Sequence, residues 1–170
     1  MRPEPSEYHH YFSRYIDLVP EEDILGAIES QSSATQRLMA TLDETKAAFR
    51  YAAEKWSIRE VLGHMTDTER VMGYRALAIA RGDTAPLPGF DEGLYASNAA
   101  YDSWRLGDIA EQYALVRRSH IVLFRNLPGD AWVRSGVANG NAVTVRALGA
   151  IIVGHERHHL GVLRERYLVG

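Results

Sequence analysis

The chain has 170 residues, 46% apolar and 24% charged, with a net charge of −3 and no cysteine. That length and composition suit one ordinary globular domain spanning 1–170, and the mixed, slightly acidic charge leaves no basic footprint for nucleic acid. The missing cysteines exclude disulfides, thiol nucleophiles and thiolate metal ligands from this chain, and fit a reducing compartment. The opening Met1-Arg2-Pro3-Glu4-Pro5 has no apolar core of the kind a signal peptide needs. No apolar run approaches a membrane span, so the expectation is a cytoplasmic protein with no membrane partner.

Tyr8, Tyr11, Phe12 and Tyr15 recur at three-to-four spacing and predict a short amphipathic helix lying across the body. His9 and His10 beside them read as packing or surface residues rather than metal ligands, since nothing near them repeats the spacing. Pro20 followed by Glu21, Glu22 and Asp23 opens a helix expected over 21–43, with Ile24, Ala27, Ile28, Leu38 and Leu42 in its stripe. Residues 44–56 read as a connection ending at Trp56.

Ser57-Ile58-Arg59-Glu60 is a capping box, and it starts a helix running to about Arg81, where Gly82, Pro86 and Pro88 stop it. His64 lies at the edge of its apolar stripe. Residues 82–103 form a long connection with a turn or two of helix over 91–101, a length common in functional wall segments. A third long helix is expected over 106–127, carrying His120 as a structural or exposed residue. Leu127-Pro128-Gly129-Asp130 ends it, and 128–143 reads as irregular, with Gly136 and Asn139-Gly140-Asn141 as turn material, a hairpin as the alternative, and no strong strand alternation. Thr144 caps a last helix reaching about Leu168. Four long amphipathic helices with long connections make an all-α, up-and-down-like four-helix bundle.

Chemistry concentrates in the last helix, in Gly154-His155-Glu156-Arg157-His158-His159. Residues four apart lie about 40° apart on a helix, so His155 and His159 stack on the apolar side with Leu148, Ile151 and Ile152. Buried imidazoles need partners. His64 is the histidine placed on the inner half of another long helix, so His64, His155 and His159 form a candidate three-nitrogen site. Three neutral imidazoles suit zinc, nickel, iron or cobalt, and leave coordination positions for other ligands. The same stretch satisfies H-E-x-x-H, the pattern of zinc proteases. The metzincin continuation requires Gly and His where this chain has Val162 and Glu165, and the zincin strand is missing, so the protease reading is set aside. Glu156 sits about 100° from His155, free either to orient a ligand or to face outward.

Lys55-Trp56-Ser57-Ile58-Arg59-Glu60-Val61-Leu62-Gly63-His64, Asp67-Thr68-Glu69-Arg70, Pro86-Leu87-Pro88-Gly89-Phe90-Asp91 and Gly154-His155-Glu156-Arg157-His158-His159 together resemble the DinB/YfiT-like superfamily. The resemblance runs through most of the chain. It implies a four-helix bundle, often dimeric, whose metal is held by one histidine of the second helix and two of the last. Those positions match His64, His155 and His159. It also implies a divalent ion, zinc or nickel with iron as an alternative, and a small-molecule substrate, with a low-molecular-weight thiol as a candidate cosubstrate. The expected activity is metal-dependent transfer or hydrolysis using an activated thiol or water. The competing expectation is a non-catalytic metal- or small-ligand-binding module of the stress-response type. The site is expected near one mouth of the bundle, bordered by residues 82–103 and by Tyr8 to Tyr15, in a homodimer.

Overall fold

The computed structural model describes residues 2–167. Its frame is four long helices: α2 (Ile24–Met39), α4 (Ile58–Ala80), α6 (Leu106–Arg125) and α7 (Val145–Arg166). Three short helices, α1 (Ser13–Ile16), α3 (Glu44–Ala47) and α5 (Glu92–Ala99), lie in the connections. A hairpin of β1 (Ser135–Ala138) and β2 (Asn141–Thr144) precedes α7.

Local chemistry sets most helix starts. Ser57 Oγ accepts from the Glu60 amide at 3.2 Å while Glu60 accepts from the Ser57 amide at 2.7 Å, the reciprocal pair the sequence predicts. Thr144 caps α7 through the Ala147 amide at 3.2 Å. The expected helix over 21–43 is shorter at both ends. Asp23 takes the cap by accepting from the Gly26 amide at 3.0 Å, so the acids before it stay outside the helix. The aromatic N-terminal stretch is two 3₁₀ turns leading into α1, not a continuous amphipathic helix. The expected end of the last helix at Leu168 lies outside the described residues; α7 is helical to Arg166.

Packing neighbours order the bundle as a ring, α2–α6–α4–α7, closed by contact between α7 and α2. Side-chain partners give directions. Glu69 meets Arg117, and Gly73 lies against His120, so α4 and α6 run parallel. Ile24 lies against Gly149 and Thr35 meets Glu156, so α2 and α7 also run parallel. The expected bundle with long connections is present, and its order is up–down–down–up. Two parallel neighbours cannot be joined by a tight turn, which explains the long segment 81–105 that carries α5 back along the molecule.

The hairpin is a feature that periodicity missed, because four-residue strands are too short to show alternation. Asn139 (φ 50°) and Gly140 (φ 74°) make the two-residue turn with both centres left-handed. The Leu87 amide donates to Val137 O at 2.8 Å and the Asn139 amide to Leu87 O at 3.0 Å, stitching the 81–91 segment to the hairpin.

Two apolar clusters fill the interior. One gathers Ile16, Ile28, Met72, Phe124, Leu148 and Ile151, and the other Leu38, Ile58, Leu62, Ile109, Leu160 and Leu163. Between them lies a polar layer to which all four long helices contribute: Thr35, His64 and Glu69, Tyr113 and Arg117, His155 and Glu156.

Candidate metal centre and its cavity

The helical turn that stacks His155 on His159 and the antiparallel crossing of α4 on α7 bring three imidazoles together. His155 Nε2 lies 3.1 Å from His64 Nε2 and 3.1 Å from His159 Nε2. One ligand nitrogen from each ring falls within 4.8 Å of the other two. His64 and His155 are buried, and His159 is half-buried.

The rings are held by close crossings. A Cβ on Gly154 would sit 2.1 Å from the Tyr15 carbonyl oxygen, so glycine lets α1 cross α7 one residue before His155. Tyr15 then packs edge-on against His155, with ring centres 5.2 Å apart. Gly63, one residue before His64, likewise lies under Tyr101, where a Cβ would meet the ring at 2.3 Å. Trp56 covers the His64 ring at 4.8 Å.

Burial lowers the His64 pKa to about 4. Burial, then the charges His64, His158 and Arg14 would carry nearby, lowers that of His159 to about 3. His155 is pushed well below its ordinary value by burial and by its two neighbours in the cluster. All three are neutral at neutral pH, with lone pairs available.

This donor set fits a divalent ion. Tetrahedral zinc–imidazole bonds of about 2.0–2.1 Å place ligand nitrogens about 3.3 Å apart. The Nε2 of His155 approaches two other Nε2 atoms, yet a neutral imidazole nitrogen donates at most one hydrogen bond. A cation among the three resolves that frustration.

The remaining described histidines have other partners. His9 Nδ1 accepts from the Tyr11 amide at 3.3 Å, His10 stacks on His9, and His158 packs on Tyr15. His120 Nδ1 lies 3.1 Å from Glu69 Oε1.

Glu156 does neither of the things its position suggested. It turns into the bundle, accepting from Tyr113 Oη at 2.7 Å, and pairs with Arg117 and Thr35. Arg117 in turn donates through Nε and Nη2 to the two Glu69 oxygens, each at 2.8 Å. Burial alone would raise the Glu69 carboxyl; Arg117 and His120 outweigh it and hold it below its ordinary value. This network turns Glu156 toward α2 and α6, on a neighbouring face of α7 from the one that carries the imidazole cluster.

The cluster opens on a cavity of about 470 Å³ that reaches His155 and lies in the groove between α4 and α7. As expected, its walls come from the N-terminal aromatics (Tyr11, Phe12, Tyr15) and from the 82–103 segment (Phe90, Asp91, Glu92). Its position differs from the expected mouth. The cavity runs along α4 and α7 beside the first apolar cluster, roofed by the N-terminal aromatics and residues 90–92. The hairpin supplies a further wall through Ala138 to Val143, which the sequence reading did not foresee. Glu92 Oε2 lies 4.0 Å from His64 Nε2. Sequence reasoning missed Glu92 because its approach to His64 depends on how α5 packs on α4, which no spacing along one helix marks.

Comparisons with known proteins agree with this fold. A sequence model of the DinB superfamily matches residues 27–163. The fold is similar to that of YfiT from Bacillus subtilis, described as a probable metal-dependent hydrolase with an unusual four-helix bundle topology. That match has TM-score 0.72 at 14% identity, covering 100% of this chain and 95% of that one. It is also similar to the mycothiol-dependent maleylpyruvate isomerase, with TM-score 0.68 at 16% identity, covering 85% of this chain and 61% of that one. No curated protein sequence matches the chain. Among the described residues no helix is long and apolar enough to cross a membrane.

Proposed function

The chain belongs to the DinB superfamily, and on that premise we propose that it is a metal-dependent enzyme in which His64, His155 and His159 hold one divalent ion, zinc or nickel, with iron as an alternative. The observation carrying this reading is the convergence of three neutral Nε2 atoms beside an open cavity that His155 lines. An ion held by His64, His155 and His159 would keep positions free and would favour the deprotonated form of a thiol or water. The chain has no cysteine, so any thiol activated here is a cosubstrate, with a low-molecular-weight thiol as the candidate and water as the alternative. The two similar structures, one described as a probable metal-dependent hydrolase and the other as mycothiol-dependent, support water and thiol alike as the activated group.

The chain's own residues do the remainder. Tyr15 and Trp56 fix the ring planes and keep bulk water off the imidazoles. Glu92, at the first turn of α5 and open to solvent, is placed to accept the proton the nucleophile gives up and pass it outward. We take residues 1–170 as one domain acting as a homodimer in the cytoplasm; light scattering after size exclusion tests the dimer.

The primary test is metal per chain by mass spectrometry on untagged wild type, His64→Ala and His159→Ala. About one ion in the wild type, lost in both variants, is expected for a three-imidazole site. A wild type that holds no ion after reloading with zinc or nickel overturns the reading. Once a turnover assay is found, Glu92→Gln should lower kcat by about 100-fold or more with metal content unchanged.

A further inference from the structure

The far end of the cavity contains a second set of groups that the metal reading does not use. His64, Thr68, Met72 and Arg75 fall on one face of α4, within about 80° of one another. Arg75 is eleven residues beyond His64, so its Cα lies about 16 Å farther along the helix axis.

Arg75 is 5% exposed. Its Nη2 donates to the Pro88 carbonyl at 2.7 Å, its Nη1 lies 3.5 Å from Met72 Sδ, and its guanidinium stands 5.9 Å from the Phe90 ring centre. Among the described residues no carboxylate lies within ion-pair distance of it. The other buried arginines are matched: Arg117 by Glu69 and Glu156, and Arg59 by Glu44. An isolated buried cation is expensive unless something compensates it. Desolvation accordingly pulls the Arg75 pKa down.

Thr68, one turn beyond His64, adds a second orphan. Its Oγ1 is buried without a hydrogen-bond partner among the described residues, and Thr68 lines the same cavity. Between these polar groups the walls are apolar, from Phe12, Met72, Phe90, Leu148 and Ile151. The two carboxylates that also line the cavity do not serve Arg75. Asp91 is exposed and caps α5 through the Leu94 amide at 2.9 Å, and Glu92 sits by His64.

We propose that Arg75 and Thr68 form the recognition subsite for a carboxylate on a small substrate with an apolar body. One uncompensated guanidinium matches one negative charge, the orphan hydroxyl supplies a hydrogen bond, and the apolar walls accept the carbon skeleton between carboxylate and reacting atom. The subsite rests on reading this cavity as the substrate chamber of the histidine centre, and it names the class of molecule that enters.

Isothermal titration with 4-phenylbutyrate and its neutral isostere 4-phenylbutanamide tests the subsite, on both metal-loaded and metal-stripped protein. Wild type should bind the carboxylate about tenfold tighter than the amide or better, in both metal states. Arg75→Met should erase that preference with metal content unchanged, and Arg75→Lys should keep part of it. Thr68→Val, which leaves the guanidinium in place, should weaken the carboxylate alone. Equal affinity of wild type for both probes, or binding of neither, overturns the proposal. So does a preference that survives Arg75→Met, or one that disappears on stripping the metal, since the ion would then be holding the carboxylate. A wild type that binds no metal yet keeps an Arg75-dependent preference defeats the metal centre and leaves the subsite standing.

Discussion

Arg117 shows how much a single residue decides inside this bundle. Its guanidinium is 1% exposed and lies between two buried carboxylates, Glu69 and Glu156. Removing one member of such a cluster leaves uncompensated charge in a low-dielectric interior. Arg117→Ala should therefore destabilise the fold by about 3–5 kcal/mol, read by urea denaturation. A loss below about 1 kcal/mol would mean that the two acids find water or protons instead. The cluster was partly legible in the sequence: Tyr113, Arg117 and His120 share the face of α6 that carries Ile109 and Phe124. Glu156 was not. Its angular distance from His155 only said that it pointed elsewhere, and the partners that make elsewhere a buried layer come from α2 and α6.

At the scale of elements, capping chemistry reads directly from the chain. Ser57 both caps α4 and donates to Asp102 at 2.5 Å, so it ties the helix that carries His64 to the segment before α6. Ser57→Ala should reduce stability by about 1 kcal/mol for the cap, measured by thermal or urea unfolding. The hairpin depends on its turn. Gly140, at φ 74°, faces open space, so Gly140→Ala meets no clash and should lose only the left-handed backbone penalty, about 1 kcal/mol. A larger loss would show that the hairpin, through Leu87, also holds the wall of the cavity. The hairpin was the least legible element, since its strands are too short for periodicity and it owes its place to what it packs on, whereas α5 falls inside the short helix expected over 91–101.

For the whole molecule, acid should act first on the roof of the site. Glu7 pairs with Arg146 and accepts from Thr144 Oγ1 at 2.7 Å, anchoring the N-terminal segment to the start of α7. The Arg146 hydrogen bond, against the opposing effect of burial, lowers the Glu7 pKa from 4.5 to about 2. A carboxylate whose pKa is depressed on folding contributes stability above its unfolded value and loses it as pH falls toward the folded one. Anchoring is thus complete above pH 4.5 and weakens between 4.5 and about 2. Protection factors of residues 5–16, taken against the intrinsic exchange rate at each pH, should fall over that window in wild type. In Glu7→Gln protection should already be lower at pH 6 and should change less with acid. Unchanged protection in wild type down to pH 2 would mean that the aromatic contacts of α1 with α7 hold the roof alone.

The sequence by itself determined the helical class, the capped starts of α4 and α7, and the stacking of His155 on His159, whereas the crossing of α4 on α7 is what brings His64 to that pair. Those features repeat within one helix or sit at its end, where a side chain's direction follows from residue number. It also marked the 82–103 segment and Tyr8 to Tyr15 as walls, from length and aromatic content. The up–down–down–up order, the run of the cavity along α4 and α7, the hairpin wall, Glu92 beside His64, and the lone charge of Arg75 were decided only by the tertiary structure. Each depends on which helix lies next to which, and on whether a buried charge meets a partner from a distant part of the chain. Spacing along one helix says where a side chain points, and only the assembled fold says what it meets there.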